Sequence, residues 1–235
     1  MGRSWVIGVK SASSAKKAAL FTKIMKEVAV ACREGGASPD GNARLRAALE
    51  AARKASVPRD TIDRALKKAA GAGADSYESV VYEGFAPHQV PVIVSCLTDN
   101  KNRTASQIRV LFRGGQMTSV AWMFDSVGII EATHSTAKDA EEAAIESGAQ
   151  DLEKMDASEL GEGAVVGATF YTGPSDLDSV RHALTDAGWS VSKAELGYRP
   201  KTPMQLSGGD RDQVVKFLDA LDDEPDVHRL YTALD

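Results

Sequence analysis

Cysteine is scarce in this chain: 235 residues contain only Cys32 and Cys96. Neither belongs to a CxxC or Cys/His grouping, which argues against a disulfide scaffold. Both are expected to be reduced, buried small hydrophobes of a cytoplasmic protein. Histidine is equally sparse. His88, His134, His182 and His228 lack HExxH or HxH spacing, so no zinc site is expected. No apolar run is long enough to span a bilayer, and no membrane partner is expected. Met1 to Lys10 lacks the apolar core and small-residue cleavage site of a secretory signal. Gly71–Gly73 and Gly114-Gly115 are not followed by the Gly-Lys-Ser/Thr of a phosphate-binding loop. No Ser/His/Asp or Cys/His constellation emerges from spacing. A non-enzyme without metal or cofactor is therefore expected.

What the chain does have is charge divided along its length. Residues 1–70 hold fifteen Lys and Arg against six Asp and Glu, a net of +9. The whole chain carries −5, so residues 71–235 sum to −14. A basic module on an acidic body points to a polyanion partner for the module, above all nucleic acid. The candidate contacts in the module are Lys10, Lys16, Lys17, Lys23, Lys26, Arg44, Arg46, Arg53, Lys54, Arg59, Arg64, Lys67 and Lys68.

Periodicity predicts three amphipathic helices in this third. The first, capped by Ser13 or Ser14 and ended by Gly35-Gly36, carries Phe21, Met25, Val28 and Cys32 in one stripe. Lys16, Lys23 and Lys26 point away from that stripe. The second, about Asn42 to Ala55, buries Leu45, Ala48, Leu49 and Ala52, with Arg46 and Arg53 on one flank. The third follows Pro58 and buries Ile62, Ala65, Leu66 and Ala69, opposite Arg64, Lys67 and Lys68.

Past the Gly71–Ala74 linker the period changes. Strands are predicted at Val80–Phe85, Val90–Leu97, Val120–Phe124 and Val127–Ala132, with a helix at Asn102–Phe112. A helix at Ser135–Ser147, strands near 151–155 and 165–171, a helix from Pro174 to Gly188 and a strand at Ser190–Tyr198 complete a βαββαβ, ferredoxin-like order. A final helix (about 210–221) and strand (227–232) cannot fold alone and are expected to return to the earlier sheet. The expected class is α+β with three domains: a helical bundle at 1–74, a middle α/β domain at 75–126 plus 203–235, and an inserted ferredoxin-like domain at 127–202.

Asn100-Lys101-Asn102-Arg103-Thr104 marks a strand-to-helix turn. Asn102 is read as a cap, and free N–H groups there suit a phosphate, with Lys101, Arg103 and Arg109 adding charge. The alternative is a capped turn with solvated cations. The acidic run Asp222–Asp226 lacks EF-hand spacing and reads as a solvated turn. Trp5, Phe21 and Phe85 are candidates to stack on bases, although Phe21 lies on the core stripe.

Several runs together resemble the YebC family. They are Phe21-Thr22-Lys23-Ile24, Arg44–Ala48, Pro58–Ala65, Tyr82-Glu83-Gly84-Phe85, Thr98–Thr104, Ser119–Phe124, Glu146–Asp151 and Asp226–Tyr231. The resemblance covers nearly the whole chain. It implies three domains, the last inserted in the second. It also implies either DNA-binding transcriptional regulation or a translational role on the ribosome near the peptidyl-transferase region. Three segments depart from the family pattern: the opening Gly2–Lys10 has no histidine and fewer cations, the loop Phe85-Ala86-Pro87-His88-Gln89 lacks the usual paired glycines, and the loop after Gly114-Gly115 is shortened to Gln116-Met117-Thr118. The basic residues are spread over several helix faces. Ribosomal RNA is favoured over DNA by the translational role that the resemblance implies, together with the lack of any helix bearing the Asn, Gln and Arg cluster of a major-groove reader. A protein-interaction adaptor is a further alternative.

Overall fold

Apolar residues spaced three to four apart bring three helices together around Val28, Ala31 and Cys32 of the first and Leu45, Leu49 and Ala52 of the second, with Ile62 of the third. The computed structural model describes residues 14–39, 41–70, 77–157, 160 and 163–235. In it α1 spans Ser14–Gly35, α2 Ala43–Lys54 and α3 Arg59–Ala70. Asn42 fixes the α1–α2 turn from both sides. Its side-chain oxygen accepts from Leu45 N–H at 3.0 Å, capping α2, and its amide donates to the carbonyls of Ala31 at 2.7 Å and Gly36 at 2.9 Å.

The next elements are β1 (Glu78–Ala86), β2 (Val90–Thr98), α4 (Lys101–Leu111) and β3 (Gln116–Met117). They are followed by β4 (Phe124–His134), α5 (Ala140–Ser147), β5 (Asp151–Lys154), β6 (Val166–Thr172), α6 (Leu177–Asp186) and β7 (Ser190–Pro200). The chain closes with α7 (Gly208–Asp222) and β8 (Val227–Thr232). Among the described residues there are two four-stranded sheets, ordered β3-β1-β2-β8 and β5-β6-β4-β7. The second order is that of a ferredoxin-like βαββαβ unit, with β4–β6 and β5–β6 antiparallel. In the first sheet β8 lies antiparallel to β2, Val92 opposite Thr232. The fold is α+β.

By contacts the chain divides into two compact units. Phe124–Arg199 is one, built on Ile130, Ala132, Phe170, Val180, Leu184 and Trp189. The other joins the described residues before Phe124 to Pro200–Asp235. It holds the helical core and a second core in which Val92, Val94 and Cys96 of β2 meet Ile108 of α4 and Val214, Leu218 and Leu221 of α7.

Three local expectations give way. No strand forms at Val120–Phe124. Ala121–Met123 is a 3-10 turn and Phe124 opens β4, because Glu83 takes the N–H groups of Val120 and Ala121, both at 2.8 Å. The helix expected from Ser135 starts at Ala140, capped by Asp139, whose side chain accepts from Glu141 N–H at 2.8 Å. The α4 cap is Asn100, accepting from Arg103 N–H at 3.1 Å, and not Asn102. In the β1–β2 turn His88 and Gln89 both take φ of +59°. Non-glycine residues therefore occupy a left-handed conformation that glycine adopts freely.

Candidate nucleic-acid interface

Where the cations go decides which can meet a partner. Lys23 and Lys26 lie on the face of α1 away from the apolar stripe, yet they are buried at 7% and 8% exposure. The face they occupy packs on the C-terminal acidic turn. Lys23 donates to the Asp222 carboxylate at 3.1 Å, and Lys26 donates to the carbonyl of Pro225 at 2.9 Å and to the Asp226 carboxylate. The run Asp222–Asp226 is thus an acceptor for α1 and not a solvated turn.

Asp226 is the hub. Besides Lys26 it receives Arg103 at 2.9 Å, the Thr104 hydroxyl at 2.7 Å and the Thr98 hydroxyl at 3.3 Å. Burial pushes its carboxyl up, but the donated bonds from Lys26, Thr104 and Arg103 outweigh that and hold it down at about 2. The Thr98–Thr104 run and the Asp226–Tyr231 run, distant in sequence, therefore meet at one carboxylate. Beside the hub, Glu27 of α1 lies 3.0 Å from His228 of β8 and accepts from Arg44 of α2 at 2.7 Å. Burial raises the Glu27 carboxyl, and the His228 and Arg44 bonds bring it well below the carboxylate range. Burial and the nearby Asp226 charge push the Cys96 thiol to about 12, so it stays protonated and inert.

The remaining expected contacts separate clearly. Lys10 lies outside the described residues, as do the side chains of Lys16, Lys17 and Lys54. Arg44 is held by Glu27, Lys101 is paired with Glu78, and Arg103 is shared between Asp99 and Asp226. Asn102 is exposed but caps nothing. The turn before α4 therefore reads as an internally satisfied cap. Arg46 is exposed and donates to the Pro39 carbonyl at 3.2 Å. Arg53, Arg59, Arg64, Lys67, Lys68 and Arg109 are also exposed. Arg64 and Lys67 lie opposite the Ile62 stripe of α3, and Arg46 and Arg53 share a flank of α2. Arg113, overlooked in the sequence, is exposed in the 3-10 turn after α4.

A cavity of about 320 Å³ lies between α1 and α3, lined by Phe21, Met25, Ala65, Ala69 and Tyr77 with Lys26 and Lys68. Phe21 and Phe85 are half-buried, and Trp5 lies outside the described residues. Among the described residues no group of three or more His, Cys, Asp or Glu is arranged to hold a metal, and no helix is long and apolar enough to cross a membrane.

The charge also sorts by unit. Phe124–Arg199 hold five Lys and Arg against fifteen Asp and Glu, a net of −10. The remainder of the chain sums to +5. This is a two-unit α+β protein in which a basic helical module is pinned to a four-stranded sheet, and an acidic ferredoxin-like unit, Phe124–Arg199, falls in sequence between β3 and α7. The chain belongs to the TACO1/YebC family: residues 3–72 match the TACO1/YebC protein N-terminal domain, and residues 77–234 match the TACO1/YebC second and third domain. It is 48% identical to a probable transcriptional regulatory protein of Pseudomonas syringae pv. tomato, covering 100% of this chain and 99% of that one. A probable transcriptional regulatory protein of Bdellovibrio bacteriovorus is 45% identical over 100% of both chains. The crystal structure of a conserved hypothetical protein from Aquifex aeolicus superposes with a TM-score of 0.78 at 34% identity, covering 97% of this chain and 94% of that one.

Proposed function

We propose that the protein is a non-enzymatic, cytoplasmic regulator of gene expression that binds nucleic acid. Its target is ribosomal RNA near the peptidyl-transferase region, and its action is on translation. The carrying observation is that Arg46, Arg53, Arg59, Arg64, Lys67 and Lys68 of α2 and α3 are exposed, whereas Lys23, Lys26 and Arg103 are paired with Asp222 and Asp226. The exposed cations lie on more than one helix. That suits the irregular phosphate surface of folded RNA better than a single groove-reading helix. Arg109 and Arg113 extend the same unit's positive surface.

Mechanistically, the helical module neutralises phosphates. The α1 seam holds it in fixed orientation on the sheet, so that backbone contacts set position without reading sequence. A second reading, DNA-binding transcriptional regulation, is favoured by the names of the relatives. Sedimentation of cell extract through a sucrose gradient at low salt separates the two. Comigration with the large ribosomal subunit, resisting competitor DNA of equal charge, supports the first. Protein left at the top of the gradient that protects a defined promoter overturns it in favour of the second.

A further inference from the structure

Among the described residues, the largest exposed apolar side chain of the basic unit is an indole. Trp122 is 69% exposed, and among the described residues no ring or cation is stacked on it. An aromatic so presented is normally loose, but the backbone around this one is fixed. The Glu83 carboxylate accepts from Ser119 Oγ at 3.0 Å and from Val120 and Ala121 N–H at 2.8 Å each. Val120 and Phe124 on either side are buried, at 0% and 4%. Met123 N–H donates to Val120 O at 2.9 Å, and Lys201 N–H donates to Met123 O at 2.9 Å. The Lys201 ammonium donates to the Trp122 backbone carbonyl at 3.0 Å, a further tether on the same residue.

Such an arrangement lowers the entropy cost of capturing a flat partner, because the residue that must be immobile is already tethered. The occupant follows from charge. Trp122 belongs to the unit that sums to +5, and its backbone carbonyl is held by the cation Lys201. A flat ring on a negatively charged backbone complements that pair, whereas a basic protein segment would be repelled. We propose that Trp122 is a stacking platform for one unpaired nucleobase of a single-stranded or looped RNA, with Lys201 beside the adjoining phosphate. This rests on the nucleic-acid-binding reading above and adds to it a particular site outside the helical module. Base–aromatic stacking tolerates any base, so the platform selects strandedness and not sequence.

The test uses the full-length chain and two labelled probes of equal length and charge: a short mixed-sequence single-stranded RNA and its abasic counterpart. The parent protein should bind the base-bearing strand more tightly. Trp122→Ala should weaken that binding roughly tenfold while leaving the abasic strand unaffected, and Trp122→Phe should recover most of the loss. Photocrosslinking of a bromouridine-substituted strand to the parent should label the peptide containing Trp122, a readout independent of how the variants fold. Equal loss on both strands, no loss, or crosslinks confined to α2 and α3 overturn the platform while leaving the nucleic-acid reading standing. A parent that binds neither strand overturns both.

Discussion

One carboxylate organises much of what the motif residues do. Asp226 is nearly fully buried and takes bonds from Lys26, Arg103, Thr104 and Thr98. Asp226→Asn keeps the shape but leaves two cations facing a neutral amide. Breaking one side of a buried pair costs about 3–5 kcal/mol, so a fall of several degrees in thermal midpoint is expected by calorimetry. The pH dependence has a definite sign. The Asp226 and Glu27 carboxyls are both depressed in the folded protein, so their contribution is fully present above the ordinary carboxylate range and is lost as pH falls below it. Urea midpoints should therefore hold near neutrality and drop from about pH 4 towards 2, more shallowly in Asp226→Asn; a parent with a flat profile contradicts the assignment. The β1–β2 turn offers the opposite kind of change. Gln89 holds φ +59°, a conformation that costs an L-residue roughly 1–2 kcal/mol. Gln89→Gly should stabilise by about 0.5–1 kcal/mol after glycine's own entropy cost, and Gln89→Val should destabilise.

At the level of elements, the helices were legible and their second faces were not. Leu45, Ala48, Leu49 and Ala52 of α2 are all buried as their spacing requires. The α1 stripe of Phe21, Met25, Val28 and Cys32 likewise packs in the helical core. A helical wheel, however, marks only the apolar side. The lysine side of α1 is also an interface, which becomes visible only once Asp222 and Asp226, far along the chain, are seated against it. The same blindness made Asn102 look like the α4 cap. Asn100 and Asn102 are both capping types, and only the position of Arg103 N–H separates them. Val120–Phe124 read as a strand because its residues suit one; a carboxylate from β1 claimed its N–H groups instead. The ferredoxin-like order was readable because alternating strands and amphipathic helices carry different periods. The exposed side of α3 yields a clean prediction. Arg64→Glu with Lys67→Glu should leave the melting curve within about 0.5 kcal/mol of the parent, since both lie away from Ile62. The same pair should cut nucleic-acid affinity by tenfold or more. Unchanged affinity in a gel-shift titration would move the interface off α3.

Across the whole molecule, charge is distributed by unit and not merely by sequence third, with −10 on Phe124–Arg199 and +5 on the rest. A polyanion is attracted to one part and repelled by the other, which favours a single orientation of approach. If the exposed cations neutralise about six phosphates, affinity should fall ~1000-fold between 50 and 200 mM salt. Fluorescence anisotropy across that range checks it, and a shallow slope would mean that few of these side chains meet phosphate.

The anchoring of α1 also bears on how the protein comes into being. Lys26 and Asp226 are 200 residues apart in the chain. At translation rates of about 5–20 residues per second, the first helix waits roughly 10–40 s after its synthesis before the residue that fixes it exists. During that interval Lys23 and Lys26 lack Asp222 and Asp226, and any nearby polyanion is a competitor for them. The nascent helical module is thus at its most basic while it is still tethered to a ribosome, and seating on the sheet is necessarily among the last events of folding.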